Sequence, residues 1–184
     1  MIADKILRRL RANKILGRIP TGSVVCDLGC GKDAYFLKES SQKIRQGYGF
    51  DIGIKDYVDA NIELREIDLN KGLLPLADES VDAVTMLAVL EHLDNPGHII
   101  KEAFRVLKKG GIFFITTPGK RAKKILEILA FRLKVISKKD ILDHKHYFSP
   151  AEIENLLVSA GFRFDAIKRK YFELGLNIFM QVKK

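Results

Sequence analysis

The 184-residue sequence predicts an α/β fold, a doubly wound and mostly parallel sheet with an antiparallel hairpin at one edge. Three observations carry this. The run Val24 to Leu28 reads as a buried strand that ends at Gly29-Cys30-Gly31, after which Ala34, Phe36 and Leu37 open an apolar-periodic helix. A second short strand, Gly47 to Phe50, ends in Asp51, 20 residues beyond Gly31. Val81 to Leu87 is a continuous apolar strand of the type buried on both faces of a parallel sheet.

The first of these stretches carries chemistry. Glycine lets the backbone turn sharply and lets a ligand lie against it with no Cβ in the way. A helix behind such a loop offers unpaired N–H groups to a carboxylate or phosphate. Asp51 stands where one carboxylate can accept both ribose hydroxyls of a nucleoside. The nucleoside reading therefore leads over a plain glycine turn. The dinucleotide fingerprint has a third glycine where this chain has Ala34, so NAD stays open. Asp27, two residues before Gly29, aims a carboxylate at the loop, an awkward neighbour for a pyrophosphate. It suits a cationic ligand such as S-adenosylmethionine, which carries a sulfonium and an ammonium.

The remaining elements follow in order. Residues 1–19 place Ile2, Ile6, Leu10, Ile15, Leu16 and Ile19 among basic residues, an amphipathic helix or helix pair that packs on the domain edge or joins a lid. The helix after the glycine loop runs from Asp33, its N-cap, to about residue 43. Leu64 to Ile67 is a third short strand. Leu87 and Ala88, at the carboxyl end of the apolar strand, face the ligand crevice of an open α/β sheet. A helix from Pro96 or Gly97 to Leu107 is ended by Lys108-Lys109-Gly110-Gly111, and Ile112 to Thr117 is a strand. Ile125 to Ile136 is apolar on nearly every side. That segment caps the active site, makes a dimer contact, or forms a basic-apolar surface for lipid. Ser149-Pro150-Ala151-Glu152 is a capping box with proline at the first helical position. Phe162 to Phe172 and Gly175 to Val182 form the edge hairpin, which brings the strands to seven.

The residues that now stand together resemble a known family. Asp27-Leu28-Gly29-Cys30-Gly31, Asp51, Ile67-Asp68-Leu69, Ser80 to Val84 leading to Val89-Leu90-Glu91-His92-Leu93, Val106 to Gly111, and Phe148-Ser149-Pro150 look like the class I S-adenosylmethionine-dependent methyltransferases. The likeness is closest to the small-molecule branch that includes quinone-biosynthesis enzymes. It implies a Rossmann-like sheet and puts Asp68 on the adenine amino group, with the Leu69 N–H on a ring nitrogen. Adenine offers a donor and an acceptor on one edge, which a carboxylate and an amide match; the plainer role for Asp68 is a turn residue. Asp33 occupies the family's usual third-glycine position, where its carboxylate meets the cofactor's ammonium or simply caps the helix. The cofactor contacts expected are Asp27, Gly29, Cys30, Gly31, Asp51, Ile52, Asp68, Leu69 and Leu87.

Bulk properties narrow the class. The length fits one domain, residues 1–184, with the basic helix 1–19 and the insert 119–143 as a cap. Cys26 and Cys30 have no partners at zinc-ligand spacing, so no metal is expected. No stretch approaches about 18 consecutive apolar residues and the N-terminus lacks a signal peptide's apolar region, which makes a cytoplasmic protein the expectation. The net charge of +9 is concentrated: residues 1–18 carry +5 and residues 120–139 carry +7, leaving −3 elsewhere. Any anionic partner, such as a membrane surface, meets those two appendages.

Methyl transfer from a sulfonium is a direct displacement, so the protein mainly aligns an acceptor within about 3–3.5 Å and excludes water. A base matters only if the acceptor must lose a proton. The candidates are His92, and His144 or His146 with Tyr147. The run Leu87-Ala88-Val89-Leu90 is not the Asn- or Asp-Pro-Pro-aromatic run of amino-methylating nucleic-acid enzymes, and no cysteine follows Cys30 to act in cytosine C5 chemistry. RNA stays open through the basic insert, though Phe131 is its one aromatic for stacking a base. A small apolar or lipid-like acceptor fits better. A non-catalytic module that binds the cofactor and works through the insert is the alternative from another class, and an NAD-dependent oxidoreductase is a third.

Overall fold

A computed structural model describes residues 2–128 and 141–184. Helix α1 (Ile2–Leu16) is followed by β1 (Val24–Leu28), α2 (Tyr35–Ser40), β2 (Gln46–Asp51), β3 (Tyr57–Asp59), β4 (Ile62–Glu66) and β5 (Val81–Leu87). A 3₁₀ turn (Leu90–His92), α3 (Pro96–Val106), β6 (Leu107–Pro118) and α4 (Ala122–Glu127) come next, then α5 (Pro150–Ser159), β7 (Ile167–Phe172) and β8 (Asn177–Lys183). One sheet holds all of the strands in the order β3-β4-β2-β1-β5-β6-β8-β7. The central pairs are parallel, whereas β3 with β4, β6 with β8 and β7 with β8 are antiparallel.

The sheet thus has eight strands rather than seven. The extra one, β3, is three exposed residues at the far edge, held only by pairing with β4. Nothing so short and solvated leaves a hydrophobic period to read. The chain runs outward from β1 through β2 and β4, then returns to lay β5 against the other side of β1. Their carboxyl ends part there, and a crevice opens at that switch point.

Both faces of the sheet are covered. One face packs Leu28, Phe50, Val84, Met86, Phe113 and Ile115 against Ile99, Ile100, Ala103 and Val106 of α3. The other packs Val25, Ala83, Phe114 and Phe179 against Ala12 and Ile15 of α1 and Leu37 of α2. Each large side chain so buried contributes roughly 1.5–3 kcal/mol. The capping box forms as predicted, with the Glu152 N–H donating to Ser149 Oγ and the Ser149 N–H donating to Glu152 Oε2 at 2.7 Å.

Two predicted helix boundaries differ. α2 begins at Tyr35 after Ala34, which takes a left-handed φ of 45°, and no side chain caps it. Asp33 instead pairs with Arg8 of α1 at 3.1 Å. Lys108 to Gly111 are not a helix stop but the start of β6, displaced in register against β5, with Lys108 Nζ donating to Asp82 Oδ1 at 2.7 Å. The predicted cap helix over 125–136 falls, beyond residue 128, outside the described residues.

Glu102 on α3 is a buried carboxylate that secures the connection into β5. It accepts from the Leu74 N–H at 2.9 Å and from Arg105 Nη2 and Nε at 2.8 Å. The Arg105 side chain, first among the causes, holds its carboxyl below the usual glutamate range. A lowered folded value means stabilisation that is present above the ordinary glutamate value and lost as the pH falls through the folded one. Glu102→Gln should therefore cost about 1.5–3 kcal/mol at pH 7. The gap from wild type should narrow as the pH is lowered below the ordinary glutamate value, as read by urea unfolding at pH 7 and across the acid range.

Candidate functional site

The crevice at the switch point has a volume of about 450 Å³, within the range of about 300–1,000 Å³ typical of small-molecule sites. Its wall is built from four strand exits. Gly29 comes from the β1 exit; Asp51 and Ile52 come from the end of β2; Asp68, Leu69 and Asn70 follow β4; Ala88, Val89 and His92 follow β5. Asp143 and Lys145 close the side opposite β2.

The glycine loop is tightly fitted. Gly29 has a φ of 74°, and a Cβ there would stand 2.2 Å from Val89 Cγ2, so only glycine lets the β1 and β5 exits meet. Asp51 ties the same loop to β2: Oδ2 accepts from the Gly31 N–H and Oδ1 from the Ile52 N–H, each at 2.7 Å. Asp68 accepts from the Asn70 N–H at 3.0 Å, so it makes the turn contact while facing the crevice.

The structure therefore gathers Gly29, Asp51, Ile52, Asp68 and Leu69 around one space, with Gly31 behind Asp51. It does not bring Asp27, Cys30 or Leu87 there. Asp27 sits inside the sheet, 2% exposed, with its Oδ1 accepting from Thr85 Oγ1 on the neighbouring strand at 2.5 Å. Cys30 turns into the core beside Gly49, and burial pushes its thiol up. Leu87 packs on the α1 face, and the next residue, Ala88, takes a φ of 57° that swings Val89 to the crevice. Strand alternation sends the Asp27 and Leu87 side chains into the packed sheet, whereas Cys30 turns inward from the loop that follows β1.

The histidines divide. His92 Nδ1 lies 3.3 Å from both the Asp143 carbonyl and its Oδ2. His144 meets the His92 ring edge-on at 4.8 Å, and its Nδ1 is 3.0 Å from the Tyr147 hydroxyl. Burial, with the nearby His92 and Arg11 charges, pulls His144 down to about 4, so it is neutral at pH 7. His146 is elsewhere, lining a groove beside α5 with Pro96, Phe148 and Asn155. His144 and His146 thus fall on different walls, one against His92 and the other in the groove beside α5. Behind the cluster, Glu91 is 1% exposed and accepts from Thr117 Oγ1 at 2.9 Å. Its backbone carbonyl accepts from the N–H groups of Lys145 and His146. The ligating atoms of Glu91, His92 and His144 lie within 4.8 Å of one another.

Asn70, Asp143 and Lys145 are wall residues that sequence reasoning missed. Asn70 Oδ1 accepts from the Asp94 N–H at 2.7 Å, and Lys145 pairs with Asp94 at 2.6 Å. Only the position of Asn70, two residues after Asp68, could have signalled any of them.

A family model described as "Methyltransferase domain" matches residues 2–167. A Mycolicibacterium smegmatis protein named "Probable S-adenosylmethionine-dependent methyltransferase" is 29% identical over 150 residues, 78% of this chain and 53% of that relative, so the chain spans about half its length. The ubiquinone biosynthesis O-methyltransferase of Pseudomonas fluorescens is 29% identical over 164 residues, covering 83% of this chain and 70% of that protein. In fold, the structure of a SAM dependent methyltransferase from Archaeoglobus fulgidus superposes with a TM-score of 0.73 at 18% identity, over 98% of this chain and 94% of that one.

Asp27 gives the site a pH signature. Burial first, offset by the Thr85 hydrogen bond and reinforced by the Asp51 charge, pushes its carboxyl up to about 7. A raised folded value gives a contribution that is complete below the ordinary value near 3.8, declines as the pH rises to about 7, and is level above. Asp27→Asn should therefore gain on wild type between pH 4 and pH 7, by on the order of 4 kcal/mol, and no further at pH 9. Urea unfolding of both proteins across that range would show it.

Proposed function

The chain belongs to the class I S-adenosylmethionine-dependent methyltransferase family, and from that premise we propose that it transfers the cofactor's methyl group to a small or lipid-like acceptor. The observation that carries this reading is the Asp51 carboxylate at the tip of β2, held by two backbone N–H groups and facing a crevice walled by Gly29, Asp68 and Leu69. Asp51 retains acceptor capacity for a ribose diol, and Asp68 with the Leu69 amide suits the adenine edge. Ile52 is 65% exposed beside them, an apolar surface for the flat base. Gly29 and Val89, in contact with each other, both line the same crevice.

S-adenosylmethionine supplies an already activated methyl. The acceptor atom bonds to the methyl carbon as the sulfur–carbon bond breaks, and that electron pair stays on sulfur to give S-adenosylhomocysteine. The protein's residues align and desolvate. If the acceptor atom carries a proton, the His92 imidazole, oriented by Asp143, is the wall group chemically able to take it. Tyr147 and neutral His144 back that ring and orient the acceptor. His146, on the α5 groove, is assigned no such role.

A lipid-like acceptor draws support from Ile6, Leu10, Ile125 and Ile128, apolar and about half exposed on basic helices α1 and α4 and just past the latter. Peripheral contact with an anionic membrane through 120–139, or a homodimer through the same segment, extends the proposal. Among the described residues no helix is long and apolar enough to cross a membrane.

Calorimetric titration tests the cofactor assignment. S-adenosylmethionine and S-adenosylhomocysteine should bind in the micromolar range, NAD should not, and Asp51→Ala should weaken both by about 100-fold. Tight NAD binding, or full affinity in Asp51→Ala, would overturn it. Once an acceptor is found, lipids and quinones being screened first, His92→Ala should lower kcat at least about 100-fold with little change in cofactor affinity if a proton is removed. His146→Ala should leave kcat within about twofold.

A further inference from the structure

A small pocket of about 150 Å³ lies at the corner where the base of the insert, the start of α5 and the β7–β8 hairpin meet. Gly119, Lys120 and Arg121 form one wall, Ser149 another, and Tyr171 and Gly175 the third. Backbone bonds tie the three segments together: the Gly119 N–H donates to the Leu176 carbonyl at 2.8 Å, and the Lys120 N–H to the Phe148 carbonyl at 3.3 Å. The space is below the about 300 Å³ at which whole small-molecule sites begin, so it fits one group of a larger ligand. Its charged lining is Lys120 and Arg121, and no carboxylate is among the lining residues. Lys120 Nζ donates to Glu152 Oε1 at 2.9 Å outside the pocket, where the Ser149 N–H holds the other oxygen of Glu152.

The hairpin beside the pocket ends in a turn that its packing does not explain. Phe172 pairs with Asn177, and between them Glu173, Leu174 and Gly175 take φ of 49°, 57° and 81°. Glycine accepts that backbone freely, whereas two consecutive residues with side chains are strained in it. Leu174 is also fully exposed, more so than any other large apolar side chain among the described residues. Tyr171, three residues before it and in the pocket wall, is 55% exposed. Glu173, the acidic neighbour of Leu174, accepts from Asn177 Nδ2 and is thereby held back against β8. The corner thus presents a leucine, a tyrosine and two cations to its surroundings.

Two cations around a group-sized space select a phosphate, and an exposed leucine beside it selects an apolar phase. One leucine and one tyrosine supply a fraction of the roughly 800 Å² per partner that a stable protein interface buries. A bilayer takes inserted side chains without a matching shape, and tyrosine suits its boundary, ring in the apolar zone and hydroxyl in water. We propose that this corner docks the protein on an anionic phospholipid bilayer, with a headgroup phosphate against Lys120 and Arg121 and with Leu174 and Tyr171 in the interface. The proposal rests on the membrane contact put forward above for 120–139 and extends its anchor to the β7–β8 turn. Lys120 opens that run of charge +7, and each cation near an anionic surface adds to the attraction.

The test is flotation of the full chain with vesicles of phosphatidylcholine alone and of phosphatidylcholine with about one third phosphatidylglycerol. Wild type should bind the mixed vesicles and not the neutral ones. Leu174→Asn and Arg121→Gln should each weaken that binding by about fivefold or more. Val58→Thr, which alters an apolar side chain exposed on β3 at the far edge of the sheet, should leave it unchanged. Asparagine tolerates positive φ better than leucine, so the Tm of Leu174→Asn should hold or rise, which separates lost binding from lost fold. Equal binding of mixed vesicles by wild type and both variants would overturn the docking site and leave the wider membrane contact standing. Equal binding of wild type to both vesicle types would overturn the phosphate pocket's selection of anionic bilayers, and with it the proposal. Binding to neither would overturn the docking site and the membrane contact together. Micromolar calorimetric binding of inorganic phosphate, lost in Arg121→Gln and without any vesicle binding, would assign the pocket to a free anion and overturn the proposal.

Discussion

The contact between Gly29 and Val89 is the constraint from which the rest of the site follows. The Val89 side chain fills the place a Cβ on Gly29 would take, and both residues line the crevice. Any larger residue would force the two strand ends apart, and the sheet cannot absorb that. β1 is paired on both edges, to β2 and to β5, over most of its length. The left-handed backbone at Ala88 is the counterpart on the β5 side. A non-glycine residue held at positive φ is strained, and two packed core faces hold it there.

Buried charge is arranged around that contact in a graded way. Asp27, inside the sheet, is held near neutrality by burial with a single hydroxyl donor. Asp51, one strand over and at the surface of the crevice, has two backbone donors. Glu91, under the histidines, is pushed up by burial and drawn down by Thr117, His92 and Arg11. The two carboxyl groups that do not face the crevice are thus the two that burial disfavours as anions.

Most of the architecture was legible because it rests on patterns of several residues. The apolar period of α3, the buried run of β5 and the glycines beside Asp27 each state their element redundantly. The parts that were not legible depend on single residues in three dimensions. β3 leaves no period, and the α2 start depends on a left-handed Ala34 that propensity does not foretell. Asp27 was misplaced because an acidic residue before a glycine loop looks functional in one dimension, whereas strand alternation turns it toward Thr85. The separation of His144 from His146 depends on the path of a stretch whose hydrogen bonding to Glu91 no motif announces.

The backbone carbonyl of Glu91 accepts two N–H groups from the strand-like stretch that follows the insert, at 2.9 Å from Lys145 and 3.3 Å from His146. That stretch and the 3₁₀ turn bearing His92 therefore move as one body. A ligand that shifts the position of 143–146 also shifts the wall on which the cofactor rests. Thermodynamic linkage then requires the influence to run both ways: whatever factor the second ligand contributes to cofactor affinity, the cofactor returns to it. Whatever coupling passes through that carbonyl has a sign set by whether both ligands prefer the same position of the turn.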